Sequence, residues 1–140
     1  MELDHVVERY HSALDSFARG DPEPVKALYS HQDDVTLANP FGPPVRGRAD
    51  VADRLDYAAS RFRDGQPVGV QNLALIVGTD LASMLEIERW ETKVGERDEI
   101  TPFVLRVTSV FRRENASWLL VHRHADPIAS VDSDGPLRAS

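Results

Sequence analysis

The chain has 140 residues with a formal net charge of −7, 41% hydrophobic and 28% charged residues, which allows one core but not two and lies far from the composition of disorder. The acidic balance repels polyanions and so excludes nucleic acid and anionic membranes as electrostatically favoured partners, while the absence of cysteine excludes disulfides, thiolate nucleophiles and the common structural zinc sites. No run approaches the length of a membrane span and the first ten residues lack a signal-peptide pattern, so a cytoplasmic location is expected.

Leu3, Val6, Val7, Tyr10, Leu14 and Phe17 fall at the three-and-four spacing of an amphipathic helix over residues 3–18, closed by Gly20. Asp21-Pro22-Glu23-Pro24 predicts a second, short helix carrying Val25, Leu28 and Tyr29. Asp33-Asp34 turns into a brief strand, Val35 to Ala38, which ends in the loop Asn39-Pro40-Phe41-Gly42-Pro43-Pro44. A third helix is expected from Ala49 to Phe62, with Gly65 and Pro67 terminating it. The period then changes: residues 68–78, 82–93, 102–113 and 117–125 read as four strands of an antiparallel meander joined by short turns. From Pro127 onward the residues are small and polar, and a flexible tail over 127–140 is expected. Helices followed by strands define an α+β class, with three N-terminal helices on one face of a bent antiparallel sheet.

Val6-Val7-Glu8-Arg9-Tyr10, Ala27-Leu28-Tyr29, and Asp33-Asp34-Val35-Thr36 running into Asn39-Pro40-Phe41-Gly42 resemble the first half of ketosteroid isomerases and SnoaL-like proteins. Residues 105–113 and 118–126 resemble their last two strands, an ending also similar to the association domain of calcium/calmodulin-dependent kinase. The likeness spans most of residues 1–126, which are read as one domain. It implies a nuclear-transport-factor-2-like, cystatin-like cone of curved sheet closed by helices, dimerising with a second copy through the outer sheet face. It implies less about activity, because this superfamily carries isomerases, dehydratases, cyclases, hydrolases and non-catalytic modules on one scaffold.

In ketosteroid isomerases a tyrosine and a protonated aspartate hold the enolate while a carboxylate moves the proton. By the resemblance Tyr10 matches the tyrosine, but Asn39 stands at the position of the base and Ser109 at that of the second acid. An amide cannot accept a proton at neutral pH, which argues against steroid isomerisation by that route.

Residues two apart on a strand share a face. Trp118, Leu120, His122, His124 and Asp126 are thereby grouped, as are Glu86, Glu88 and Trp90, and the resemblance turns both groups into the cup together with Val107, Ser109 and Phe111. Leu85, Ile87, Thr108, Val110, Leu119 and Val121 form the opposite, apolar face. His122 or His124 then serves as general base, oriented by Asp126, Glu86 or Glu88, with Tyr10 or Asn39 steadying an oxyanion and Phe41 in the adjoining loop. Plainer roles compete: histidines at the rim, Glu86 and Glu88 salt-bridged to Arg106 or Arg123, Trp90 and Trp118 in the core, Tyr10 in helix packing. His122, His124 and a carboxylate are valid metal ligands, yet no longer His-rich pattern accompanies them, and neither metal nor cofactor is expected. The expected function is a small-molecule protein with a polar-lined cavity suited to proton transfer on a compact carbonyl compound, of isomerase or dehydratase type. The alternative is a non-catalytic dimeric binding or assembly module.

Overall fold

A computed structural model describes residues 2–128. Helix α1, Leu3–Ala18, buries Leu3, Val6, Tyr10, Ala13, Leu14, Phe17 and Ala18, the stripe its periodicity demands. Gly20 adopts φ 96°, a conformation that favours glycine, and turns the chain into α2, Glu23–Lys26. Strand β1, Thr36–Ala38, and the two-residue β2, Val45–Arg46, flank the proline-rich loop, and α3 spans Arg48–Ser60. Four long strands complete the chain: β3, Phe62–Val77; β4, Leu81–Val94; β5, Ile100–Glu114; and β6, Ser117–Pro127.

The six strands form one curved sheet in the order β2-β1-β6-β5-β4-β3. The expected meander is present from β3 to β6, but the sheet is not wholly antiparallel: β1 lies parallel to β6, with Thr36 opposite His122 and Ala38 opposite His124. The helices cover one face. Beneath them run the buried rows Ala82, Met84, Glu86, Glu88, Trp90 and Thr92 of β4 and Leu105, Val107, Ser109 and Phe111 of β5, alternating with more exposed residues as the pleat requires. No helix among the described residues is long and apolar enough to cross a membrane.

Strand β3 begins earlier than expected, because Gly65 and Pro67 lie inside it instead of ending the helix before it. A Cβ on Gly65 would stand 2.3 Å from the Thr92 side chain and 2.8 Å from the Ala18 carbonyl oxygen, so this glycine permits the close approach of β3, β4 and the end of α1. Pro67 is tolerated because β3 is an edge strand, and register shifts on both sides of Pro67 absorb the missing donor. At the other end β6 continues through Pro127, and the Ile128 N–H donates to the Val104 carbonyl at 3.0 Å. The expected tail therefore does not begin at Pro127; its remaining part, 129–140, lies outside the described residues.

Candidate functional site

Between the helices and the inner sheet face lies a cavity of about 190 Å³. Leu14 and Phe17 of α1, Leu55 and Ala58 of α3, Leu37 of β1 and Leu105 of β5 form much of its wall. Phe62, Trp90 and Phe103 add a set of nearly parallel rings, with centroids 5.8 to 5.9 Å apart and interplanar angles of 9 to 23°. Phe41 stands edge-on to Phe62 at 5.6 Å. The only polar side chains on the wall, among the described residues, are Asn39 and Arg123. The expectation of a polar lining is thus corrected: Glu86 and Glu88 are buried behind the wall, and Asp126 lies away from it with 40% of its side chain exposed. Asn39 also shapes the proline-rich loop, its Oδ1 accepting the Phe41 N–H at 3.2 Å.

Arg123 connects the wall to a buried network. Its Nη1 and Nη2 donate to the two oxygens of Glu88 at 2.8 Å each, an end-on pair. A further Nη1 hydrogen bond reaches the Tyr10 hydroxyl, which also pairs with Ser109 Oγ at 2.8 Å. The Trp90 indole N–H donates to Glu88 Oε1 at 3.1 Å. Glu88 and Tyr10 are both 0% exposed. Burial pushes the Tyr10 phenol up to about 12, the opposing pull of Arg123 notwithstanding, so it stays a neutral hydroxyl at physiological pH. Burial alone would weaken the hold of Arg123 on its proton; Glu88 and Tyr10 more than reverse that, and the guanidinium stays charged. A salt bridge between Arg123 and Glu88 was one of the plainer readings of the sequence, and it is the one found.

The histidines are not in this cavity. In the β5–β6 ladder Phe111 pairs with Leu120 and Val110 with His122, so Val121 is a surplus residue, a β-bulge. Trp118 and Leu120 are buried on the inner face, and beyond the bulge it is Arg123 and Ala125 that are buried there. His122, His124 and Asp126, expected to look inward, therefore lie on the outer face. His122 Nδ1 pairs with Thr36 Oγ1 at 2.7 Å, and burial followed by the neighbouring His124 lowers its proton affinity. The side chain of His124 is 54% exposed and stands 3.8 Å from Asp126, whose carboxylate is held by Arg106 through bonds of 3.0 and 3.2 Å.

Of the other expected site residues, Asn39, Phe41 and Trp90 line the cavity, and Tyr10, Ser109 and Glu88 form the network behind Arg123. Phe111 packs edge-on to Tyr10 at 5.8 Å, and Trp118 is buried without reaching the cavity wall. Glu86 belongs to a separate cluster: His11 Nε2 meets its two oxygens at 2.9 and 3.0 Å, and Asn72 Nδ2 donates to it at 3.1 Å. The hydrogen bond to Glu86 outweighs burial and raises the proton affinity of His11. The sequence reading missed Phe62 and Phe103 as wall residues, and His11 and Asn72 as partners of Glu86. Phe103 could have been found, since it shares the parity of Val107, Ser109 and Phe111 on β5.

A helix-covered curved sheet enclosing a side-chain-lined hollow is the architecture of nuclear-transport-factor-2-like proteins. The sequence profile of the SnoaL-like domain matches residues 4–130, and the chain belongs to that family. Among solved structures it is similar to an NTF2-like superfamily protein from Salmonella enterica, at 18% identity and a TM-score of 0.76 over 94% of this chain and 92% of that one. A candidate dehydratase of the NTF2-like family from Streptomyces avermitilis gives 20% identity and a TM-score of 0.76 over 91% and 96%. A ketosteroid isomerase-like protein from Erwinia carotovora gives 18% and 0.75 over 91% and 95%. No curated protein matches the chain.

Proposed function

We propose that this protein binds a compact, predominantly apolar organic molecule, with a ring or conjugated system, in the cavity bounded by Phe62, Trp90 and Phe103. The supporting observation is the cavity itself: about 190 Å³, walled by aliphatic and aromatic side chains, with Arg123 as its one charged group among the described residues. An apolar void of about 150 Å³ already admits benzene, so this volume suits a monocyclic compound with a small substituent. Binding is favoured over proton transfer because the lining, among the described residues, includes no carboxylate or imidazole. Glu88, the carboxylate next behind the wall, is engaged end-on by Arg123. For the outer sheet face, where Leu85, Ile87 and Val110 are at least partly exposed, the proposal is pairing with a second copy, which sedimentation would test.

Titration with acetophenone and related monocyclic compounds, followed by tryptophan fluorescence and thermal shift, tests the binding reading. Saturable one-site binding is expected, abolished by Ala58→Phe, which fills the cavity from α3, and retained by the double variant His122→Ala/His124→Ala. Binding that survives Ala58→Phe unchanged would place the ligand elsewhere. Turnover of unsaturated ketones or hydroxyketones that falls in the double histidine variant would restore the catalytic reading.

A further inference from the structure

Arg123 spends three of its five N–H groups on Glu88 and Tyr10. The Nε–H and one Nη2–H, the parallel donors along the side edge of the guanidinium, have no acceptor among the described residues. No side-chain nitrogen or oxygen shut off from space lacks a partner there, and Arg123 borders the cavity, so the partnerless Nε–H faces open volume, with the free Nη2–H parallel beside it. Two parallel N–H groups fit an oxygen with two lone pairs.

Charge separates the candidate oxygens. The Arg123–Glu88 pair is neutral as a unit, Glu88 is fully buried, and the lining holds no second cation among the described residues. A carboxylate entering here would shed its water against apolar walls and approach the Glu88 carboxylate without a compensating positive charge. A neutral carbonyl oxygen loses far less hydration and gains the same fork.

Resting on the reading of the cavity as a ligand site, we propose that it selects a neutral, planar carbonyl compound, such as an aryl ketone, aldehyde, ester or amide. The carbonyl oxygen lies on the free edge of Arg123, and Glu88 is the specificity-determining residue that excludes the corresponding acid. Three probes of similar size decide this by calorimetry: acetophenone, ethylbenzene and benzoate, each against wild type, Arg123→Met and Glu88→Gln.

In wild type acetophenone binds about tenfold or more tighter than ethylbenzene, the value of a hydrogen bond to a charged donor. Benzoate binds at least about tenfold weaker than acetophenone, because its charge is stripped of water. Arg123→Met removes the preference for acetophenone over ethylbenzene, and Glu88→Gln, which frees the guanidinium charge, reverses the order of acetophenone and benzoate. Benzoate equal to or tighter than acetophenone in wild type overturns this selectivity while leaving the cavity reading intact. Failure of all three probes to bind overturns the cavity reading as well. The wild-type ranking decides the matter even if a variant does not fold.

Discussion

Removing the guanidinium of Arg123 is the most direct test of the network that supports the cavity. Arg123→Met keeps an unbranched apolar stem but deprives Glu88, which is 0% exposed, of both of its 2.8 Å hydrogen bonds. Only the Trp90 N–H at 3.1 Å remains to Glu88, whereas Tyr10 keeps its 2.8 Å bond to Ser109. Deleting one partner of a buried ion pair costs about 3–5 kcal/mol. The cavity beside Arg123 lets water reach the abandoned carboxylate, which argues for the lower end, about 3 kcal/mol. For a domain of this size that is a fall in Tm of about 10 °C, measured by calorimetry at neutral pH. Arg123→Met/Glu88→Leu removes both charges and should recover much of the loss, giving a coupling of about 1–3 kcal/mol between the two sites. A single variant costing under about 1 kcal/mol, with no recovery in the double, would mean that the pair does not carry this part of the core.

Two further predictions concern packing and pH. Gly65→Ala places a methyl 2.3 Å from Thr92 and 2.8 Å from the Ala18 carbonyl, where backbone cannot yield cheaply, so it should cost about 1–3 kcal/mol in urea unfolding; an unchanged midpoint would show that β3 shifts freely there. Because the proton affinity of His11 is raised in the folded state by Glu86, its contribution is fully present below the unfolded pKa of about 6.5 and is lost as pH rises through the folded value. The stability advantage of wild type over His11→Gln should therefore be larger at about pH 5.5 than at about pH 8.5. His122, whose proton affinity is lowered and whose effect has the opposite sign, is common to both proteins and cancels. An advantage that grows with pH would contradict the His11–Glu86 pairing.

Long periodic segments were readable in the sequence: α1 matches residue for residue, and each of the last three strands is present within two residues of its expected ends. Strand β2, only two residues after a proline-rich loop, offers no period to detect. The start of β3 was hidden because Gly65 and Pro67 signal chain termination locally, while their actual roles, a close approach and an edge position, are tertiary. The inward direction of Glu86, Glu88, Trp90, Ser109 and Phe111 follows from alternation in an unbroken ladder. The same rule misplaced His122, His124 and Asp126. Leu119, Leu120 and Val121 are three apolar residues in a row, which fit either face and leave no mark where the parity changes. Arg123, set between two histidines, then reads as an outward charge, and the partner that buries it lies two strands away on β4.

That surplus residue gives the fold an unusual lever over its own chemistry. Were β6 to run as a regular strand, with Val121 itself opposite Val110, its last stretch would turn over, carrying both imidazoles and an aspartate under the helices and ejecting the guanidinium. An imidazole-based interior and an arginine-based one thus differ by a single step of register, with every side chain retained, so cavities of this architecture can diversify by strand pairing as well as by substitution.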